Sequence, residues 1–392
     1  MIDITQRSFY KYLLFGSLYF SEGLIMAIGF VIIPVYFVEK GLSLELAGLV
    51  IGVIGIPMTI KFVWGGIVDY FYRLGRKFFI ILGGLLMVFG LFIVIFMDPT
   101  IALIPFAFFL FIAVCGLGFL DVSSDAMAIE IGKEEELGKI NGSMFAGQFI
   151  GMAVGSSVLA AIAQFYGYQM AFLAGGLIVI LIILFPLAIK EAKKRIKREK
   201  IAKLLIGEFK KKQTQILASF ASLININRGL LFIVIPIYMK VFLNLEIAQI
   251  GLIVAIYPIS SALGSIVGGT TADKWTRKRT LYLFSIISIV FLVLLLLADT
   301  WVNLAVIYGI IGFLQGGYIS VYCAILMNAT NPKIGATQFS ILTSLGNAGM
   351  LAGETVSGAF ITVFGFTRTF LYSAWFFGPA LIVLHFIKEK NK

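Results

Sequence analysis

Twelve stretches of this chain are each long and apolar enough to cross a lipid bilayer, and that repetition constrains the fold more than anything else in the sequence. A spanning helix needs about 20 predominantly apolar residues to traverse about 30 Å of hydrocarbon. Segments 12–38, 44–67, 78–97, 101–122, 141–163, 168–189, 214–239, 247–270, 280–298, 302–326, 338–363 and 370–387 meet that requirement. Only tight turns fit between some of them: Asp98-Pro99-Thr100 separates the third from the fourth, and Tyr166-Gly167 the fifth from the sixth. Hydrocarbon offers the backbone no hydrogen bonds, so such runs must satisfy themselves as helices. Composition agrees, with 60% of the 392 residues hydrophobic and 13% charged, against about 45–50% and about 25% in soluble domains. The expected fold is an all-α polytopic membrane protein.

A net charge of +11 would point to nucleic acid in a soluble protein. Here the charge sorts by membrane side instead, and no nucleic-acid partner is expected. With both termini inside, 26 Lys and Arg residues fall in inner segments and three (Lys40, Lys240, Arg368) in outer turns, while Lys61 and Arg228 lie within spans. Cytoplasmic loops carry the Lys/Arg excess. Both termini are therefore expected in the cytoplasm, in a multi-pass protein of the cytoplasmic (inner) cell membrane. The N-terminal apolar run outlasts the short core of a signal peptide and reads as an inserted first helix. Eleven basic residues crowd into 190–212. There Ile196, Ile201, Leu204, Leu205 and Phe209 can line one face of an interfacial helix on anionic lipid, with a plain solvated linker as the alternative.

That connector, 190–213, divides the chain into 1–189 and 214–392, with six spans in each half. Each half repeats one punctuation after its second span. Gly65-Gly66-Ile67-Val68-Asp69 precedes Arg73-Leu74-Gly75-Arg76-Lys77, and Gly268-Gly269-Thr270-Thr271-Ala272-Asp273 precedes Lys274-Trp275-Thr276-Arg277-Lys278-Arg279. The fourth spans also echo, Gly118-Phe119-Leu120-Asp121 against Gly312-Phe313-Leu314-Gln315. Parallel six-helix halves of this kind build rocker-type secondary transporters. The Gly-x-x-x-Asp pattern followed by Arg and Lys resembles the inner-loop motif of the major facilitator superfamily. The first copy departs by inserting Tyr70-Phe71-Tyr72, the second by placing Thr276 where the motif has glycine. The resemblance implies the major facilitator fold, two six-helix bundles, and a monomer. Read chemically, Gly65 and Gly269 let helices approach closely. Asp69, Arg73, Arg76, Asp273, Lys274 and Arg277 form charged contacts that bias a two-state gate, the plainer reading being anchors at the headgroups.

Charges at membrane depth cost at least about 2.5–3.5 kcal/mol each, so each is a functional candidate. Glu22 and Lys61 lie at similar depth and are expected to pair, for function or as a structural bridge between helices. Asp121 and Asp125 stand one turn apart on one face, a pattern suited to taking and releasing a proton, whereas Glu130 is expected simply to face water. Arg228 and Glu354 fall near the midplane. Arg228 suits a carboxylate or phosphate clamped bidentately, and a permanent Arg228–Glu354 pair is the alternative. Glu22 and Asp121 are the first proton-site candidates, with Asp125 and Glu354 behind them. Substrate contacts are expected from Lys61, Trp64, Arg228, Gln315 and Tyr318. Asn225, Asn227, Gln148 and Tyr257 serve either as cavity hydrogen bonders or as bridges between helices.

The run Pro57-Met58-Thr59-Ile60-Lys61-Phe62-Val63-Trp64, leading to Asp69, resembles the AmpG-type muropeptide permeases and the related acetyl-CoA transporters, as does Asp121-x-x-x-Asp125-Ala126. That branch moves polar or anionic metabolites, usually with protons, and the resemblance implies functional roles for Lys61, Trp64, Asp121 and Asp125. This chain lacks room for the extra helices of typical muropeptide permeases, so the cargo does not carry over.

Two cysteines and one histidine disfavour a thiolate zinc site, and neither metal nor cofactor is expected. No phosphate-binding loop, nucleophile elbow or paired-histidine helix occurs. The expected function is therefore non-enzymatic: a proton-coupled secondary carrier of a small polar or anionic metabolite, working by alternating access. The rivals are a proton-driven efflux carrier of amphipathic compounds, a channel, and an intramembrane aspartyl-type enzyme using Asp121 and Asp125.

Overall fold

The computed structural model describes residues 8–131, 134–188, 201–330 and 335–388. Among them the secondary structure is helical, with no strand. Eleven helical runs are long and apolar enough to cross a membrane: Phe9–Glu39, Leu44–Tyr70, Arg76–Val94, Leu103–Ile131, Lys139–Tyr166, Tyr168–Leu187, Lys212–Val241, Ile247–Ala272, Arg277–Leu297, Trp301–Ala329 and Thr337–His385. They are numbered here in that order as spans. The last covers 49 residues, about 73 Å at 1.5 Å per residue and far more than a bilayer requires. Two helices meet within it at Gly365, which sits at φ 71°, a left-handed conformation that only glycine takes without steric cost. This lies between the two segments, 338–363 and 370–387, that hydrophobicity alone separates.

Local chemistry also interrupts other spans. A π-helical turn, Ile28–Ile32, precedes Pro34 in the first span, where the missing proline N–H frees a backbone acceptor. In the second span Pro57 ends the helix Leu44–Thr59, and after Ile60 (φ −98°, ψ 25°) a new helix, Lys61–Tyr70, begins. Trp64 Nε1 donates to Pro57 O at 2.8 Å across this break. The fifth span carries a π turn at Gly155–Leu159.

The Cα trace groups into two compact units. Unit 1 comprises Met1–Leu42, Val53–Ile196 and Leu245–Ala255; unit 2 comprises Ser43–Gly52, Lys197–Asn244 and Ile256–Lys392. In unit 1 the first and fifth spans touch backbone to backbone, and a Cβ at Gly151 would lie 2.0 Å from Phe20 O. In unit 2 the seventh span meets the helix after Gly335 in the same way, and a Cβ at Gly229 would lie 1.8 Å from Met350 O. Small residues permit this approach, and close van der Waals contact is what holds helices together in lipid. The Gly147, Gly151 and Gly155 stripe of the fifth span therefore acts in packing.

The duplicated loop motif contributes a further device to each unit. Lys77 Nζ donates to Leu187 O at 3.0 Å, at the end of the sixth span. Lys278 Nζ donates to His385 O and, at 3.2 Å, to Ile387 O, at the end of the last described helix. A cation at a helix C-terminus satisfies orphan carbonyls and complements the helix dipole. Of the expected connector helix, residues 190–200 lie outside the described residues. Its later part forms the helix Ile201–Phe209.

The packing predicts a specific steric penalty. Gly151→Val should lower the thermal denaturation midpoint of the purified protein, by an overpacking cost of about 1–3 kcal/mol. Gly142→Ala, where an added Cβ meets nothing within 4 Å, should leave the midpoint unchanged or raise it.

Candidate functional site

Unit 1 gathers five ionisable side chains from three spans. Lys61, the first residue after the break in the second span, pairs with Asp121 Oδ2 at 3.1 Å. Both side chains are withdrawn from solvent, at 16% and 3% exposure. Tyr19 of the first span places its hydroxyl 3.1 Å from Asp121 Oδ1 and 2.5 Å from Asp125 Oδ1, so one phenolic proton serves two carboxylates. Glu22, one turn after Tyr19, is 4% exposed, has Gln148 as a hydrogen-bond partner and leaves its Oε2 without one.

The expected Glu22–Lys61 pair does not form. Lys61 turns to Asp121, and Glu22 remains only within electrostatic range of it. Depth along the helices matched the two residues, but azimuth decides contact, and the new helix that starts at Lys61 aims its stem at the fourth span. Tyr19 escaped the sequence reading. Its only signal was a position three residues before Glu22 on the same helix face.

The loop motif of unit 1 is a charge bridge. Arg76 Nη1 meets Asp69 Oδ1 at 2.8 Å, and its Nε meets Glu130 Oε1 at 2.9 Å. Glu130 is 14% exposed, which corrects the expectation that it simply faces water: an arginine fork held by two carboxylates draws it inward. Arg73 is exposed.

In unit 2 the amide oxygen of Asn328, in the orientation that satisfies both groups, accepts from Arg277 Nη2 at 3.2 Å. Lys274 is exposed, and the side chain of Asp273 lies outside the described residues. The motif's later glycine, Gly75 in the first copy, and its replacement in the second, Thr276, each begin a helix. Gly75 begins the third span at φ 87°, whereas Thr276 begins the ninth at φ −114° with its side chain accepting from Arg279 N. Close approach is not made where expected. A Cβ at Gly65 would make only an ordinary 3.4 Å contact with Val122, and one at Gly269 would meet nothing within 4 Å. Gly268 is the close residue, its Cβ position 2.4 Å from Gly317 O, because one residue of helix turns the side-chain direction by about 100°.

Unit 2 answers the charged cluster with a largely neutral one. Tyr257 Oη donates to Gln315 Oε1, Gln315 Nε2 donates to Asn227 Oδ1 at 3.1 Å, and Asn227 Nδ2 donates to Ser373 O at 2.7 Å. Gln315, at 1% exposure, thus has both ends of its amide committed, and Asn227 acts as a bridge between helices. Trp64 likewise spends its N–H on Pro57 and packs against Phe119 at 5.0 Å. Arg228 lies over the Phe232 ring, 5.2 Å from its centroid. Among the described residues no ion pair joins Arg228 to buried Glu354.

Between the first and second spans, Lys40 donates to Asp98 Oδ2. This bond, with the side-chain and backbone donors of Thr100, holds the Asp98 carboxyl down at about 2. A depressed carboxyl contributes above its ordinary range and loses that contribution as pH falls toward the folded value. The pair therefore stays ionised near neutral pH.

The sequence pattern of the Major Facilitator Superfamily matches residues 15–226 and 217–392 of the chain. A protein of Rickettsia conorii that bears the provisional name transporter AmpG 1 is 24% identical over 386 residues, covering 90% of this chain and 92% of its own. The crystal structure of the nucleoside transporter NupG superposes with a TM-score of 0.75 at 17% identity, over 98% of this chain and 99% of that one. A bacterial homologue of the human lysosomal transporter Spinster, inward-facing and unoccupied, does so with a TM-score of 0.74 at 12% identity, over 97% and 94%.

The Lys61–Asp121 contact makes a direct prediction. Lys61→Met or Asp121→Leu alone strands a buried charge and should cost about 3–5 kcal/mol. The double variant should recover a coupling of about 0.5–3 kcal/mol, read as thermal denaturation of all four proteins.

Proposed function

We propose, from the premise that this chain belongs to the major facilitator superfamily, that it is a secondary active carrier. It moves a small polar or anionic metabolite across the cytoplasmic membrane by alternating access, coupled to protons. Counting the two helices that meet at Gly365 separately, it has twelve spans in two six-helix halves, 1–189 and 214–392, joined by the basic connector, with both termini in the cytoplasm. It works as a monomer, without metal or cofactor and without catalysis.

The observation that carries this reading is the unit 1 cluster, in which Lys61 pairs with Asp121 while Tyr19 lies between Asp121 and Asp125. Charges are rarely kept at membrane depth without a use. A proton arriving on Asp121 removes the counter-ion of Lys61 and leaves an ammonium ready for an anionic group. Proton and anion then favour each other's binding by the same factor, which is the thermodynamic content of symport. Glu22 and Asp125 extend the proton site, and Glu354 is its candidate in unit 2. Lys61, Arg228 and Tyr318 contact substrate. Trp64 and Gln315, their polar atoms already engaged, hold Lys61 and the unit 2 network in position. Asp69, Arg76 and Glu130 act in gating, since a bridge of exposed and buried charges between helices is readily broken by a shift of one of them. Arg73, Gly65, Gly269, Asp273, Lys274 and Arg277 belong to the same paired gate.

Proteoliposome uptake tests the carrier. Labelled amino sugars, sugar phosphates, nucleotides and peptides are offered with and without an imposed pH gradient. For the true substrate, uptake should saturate and follow the gradient, and Asp121→Asn should reduce it to the protein-free background. Non-saturating flux would mark a channel. Saturable flux indifferent to both the gradient and Asp121→Asn would sink proton coupling.

A further inference from the structure

Arg228 sits mid-span in unit 2, in the helix Lys212–Val241. Tyr257 accepts a hydrogen bond from it, passes its own proton to Gln315, and the relay runs through Asn227 to the carbonyl of Ser373. Every donor in this chain points away from Arg228 and ends on backbone, so the network orients the guanidinium without neutralising it. The Phe232 ring backs it at 5.2 Å. Its Nε is buried without a hydrogen-bond partner, and so is the hydroxyl of Tyr318, a residue with 0% exposure that lies within electrostatic reach of Arg228. Leaving such donors unanswered in a buried setting is costly, and more so for a charged group. Unsatisfied buried groups of this kind in a native protein call for an explanation.

We propose that Arg228 and Tyr318 form an anion subsite in unit 2, taking the carboxylate or phosphate group of the transported molecule. Two orphan donors, one of them on a cation, ask for a ligand rich in acceptors and negatively charged, and the planar guanidinium suits an oxyanion better than a lone hydroxyl. Glu354, 4% exposed, is an electrostatic neighbour of Arg228 that forms no ion pair with it among the described residues. When ionised it opposes an incoming anion, so the subsite takes the anion most readily with Glu354 protonated. The subsite deepens the carrier reading and rests on it only for the claim that the bound anion is cargo.

The test is binding to the purified full-length protein in detergent, read by thermal denaturation against matched probes: glucose phosphate against glucose, glucuronate against glucose, and uridine monophosphate against uridine. At least one charged member should raise the midpoint where its neutral counterpart does not. Arg228→Gln should abolish that preference, and Tyr318→Phe, which removes only the hydroxyl, should weaken apparent affinity about tenfold. Glu354→Gln should tighten binding of the same probe. No charged preference in the wild-type protein, or a preference that survives Arg228→Gln, overturns the subsite. None of these readouts needs a gradient or turnover, so an absence of saturable uptake would overturn the carrier and leave the subsite standing.

Discussion

Hydrocarbon cannot hydrogen-bond, so a polar group carried to membrane depth must be answered by another part of the chain or by what the chain binds. That demand explains much of what the structure does. Where Pro57 and Ile60 break the second span, Trp64 lends its indole N–H to the exposed carbonyl. Where Lys61 emerges from the break, Asp121 meets it, and where Asp121 and Asp125 face one another, Tyr19 stands between them. The glycine contacts of the first and fifth spans similarly bring Gln148 beside Glu22.

The duplicated halves meet the demand in different ways. The fourth span carries Asp121 where the tenth carries Gln315. Aspartate requires a cation and acquires Lys61. Glutamine, having both a donor and an acceptor, closes a neutral relay between Tyr257 and Asn227. Corresponding places in the two sequence echoes thus hold a salt-bridged carboxylate in one unit and a neutral amide relay in the other. The loop motif diverged more gently. Gly75 and Thr276 start their helices by different means, a positive φ and a side-chain cap, and reach the same result.

The apolar spans and the charges that fall within them were legible in the sequence because each depends on local composition and spacing. Partner choice was not. Rise per residue placed Glu22 and Lys61 at one depth, yet contact also depends on rotation about each helix, and a one-residue interruption at Ile60 resets that rotation for everything after it. The same ambiguity put the close glycine contact at Gly269 when it belongs to Gly268. Glu130 was read as a solvated charge because nothing near it in sequence announces Arg76, fifty-four residues earlier. Polar roles were hidden for a related reason, since a tyrosine such as Tyr19 looks the same in a packed core as between two acids.

The lysine caps bear on how such a chain is built. Lys77 enters the membrane with the third helix, but the carbonyl it holds, Leu187 O, belongs to the sixth. Lys278 likewise waits for His385, the last residue of its helix. During synthesis each cation therefore spends the making of three further helices without its final acceptor, and each is tied down only when the last helix of its set arrives. The caps work as closing latches, and they give the ribosome's order of delivery a physical end point: a truncated half would lack the carbonyls that these lysines cap.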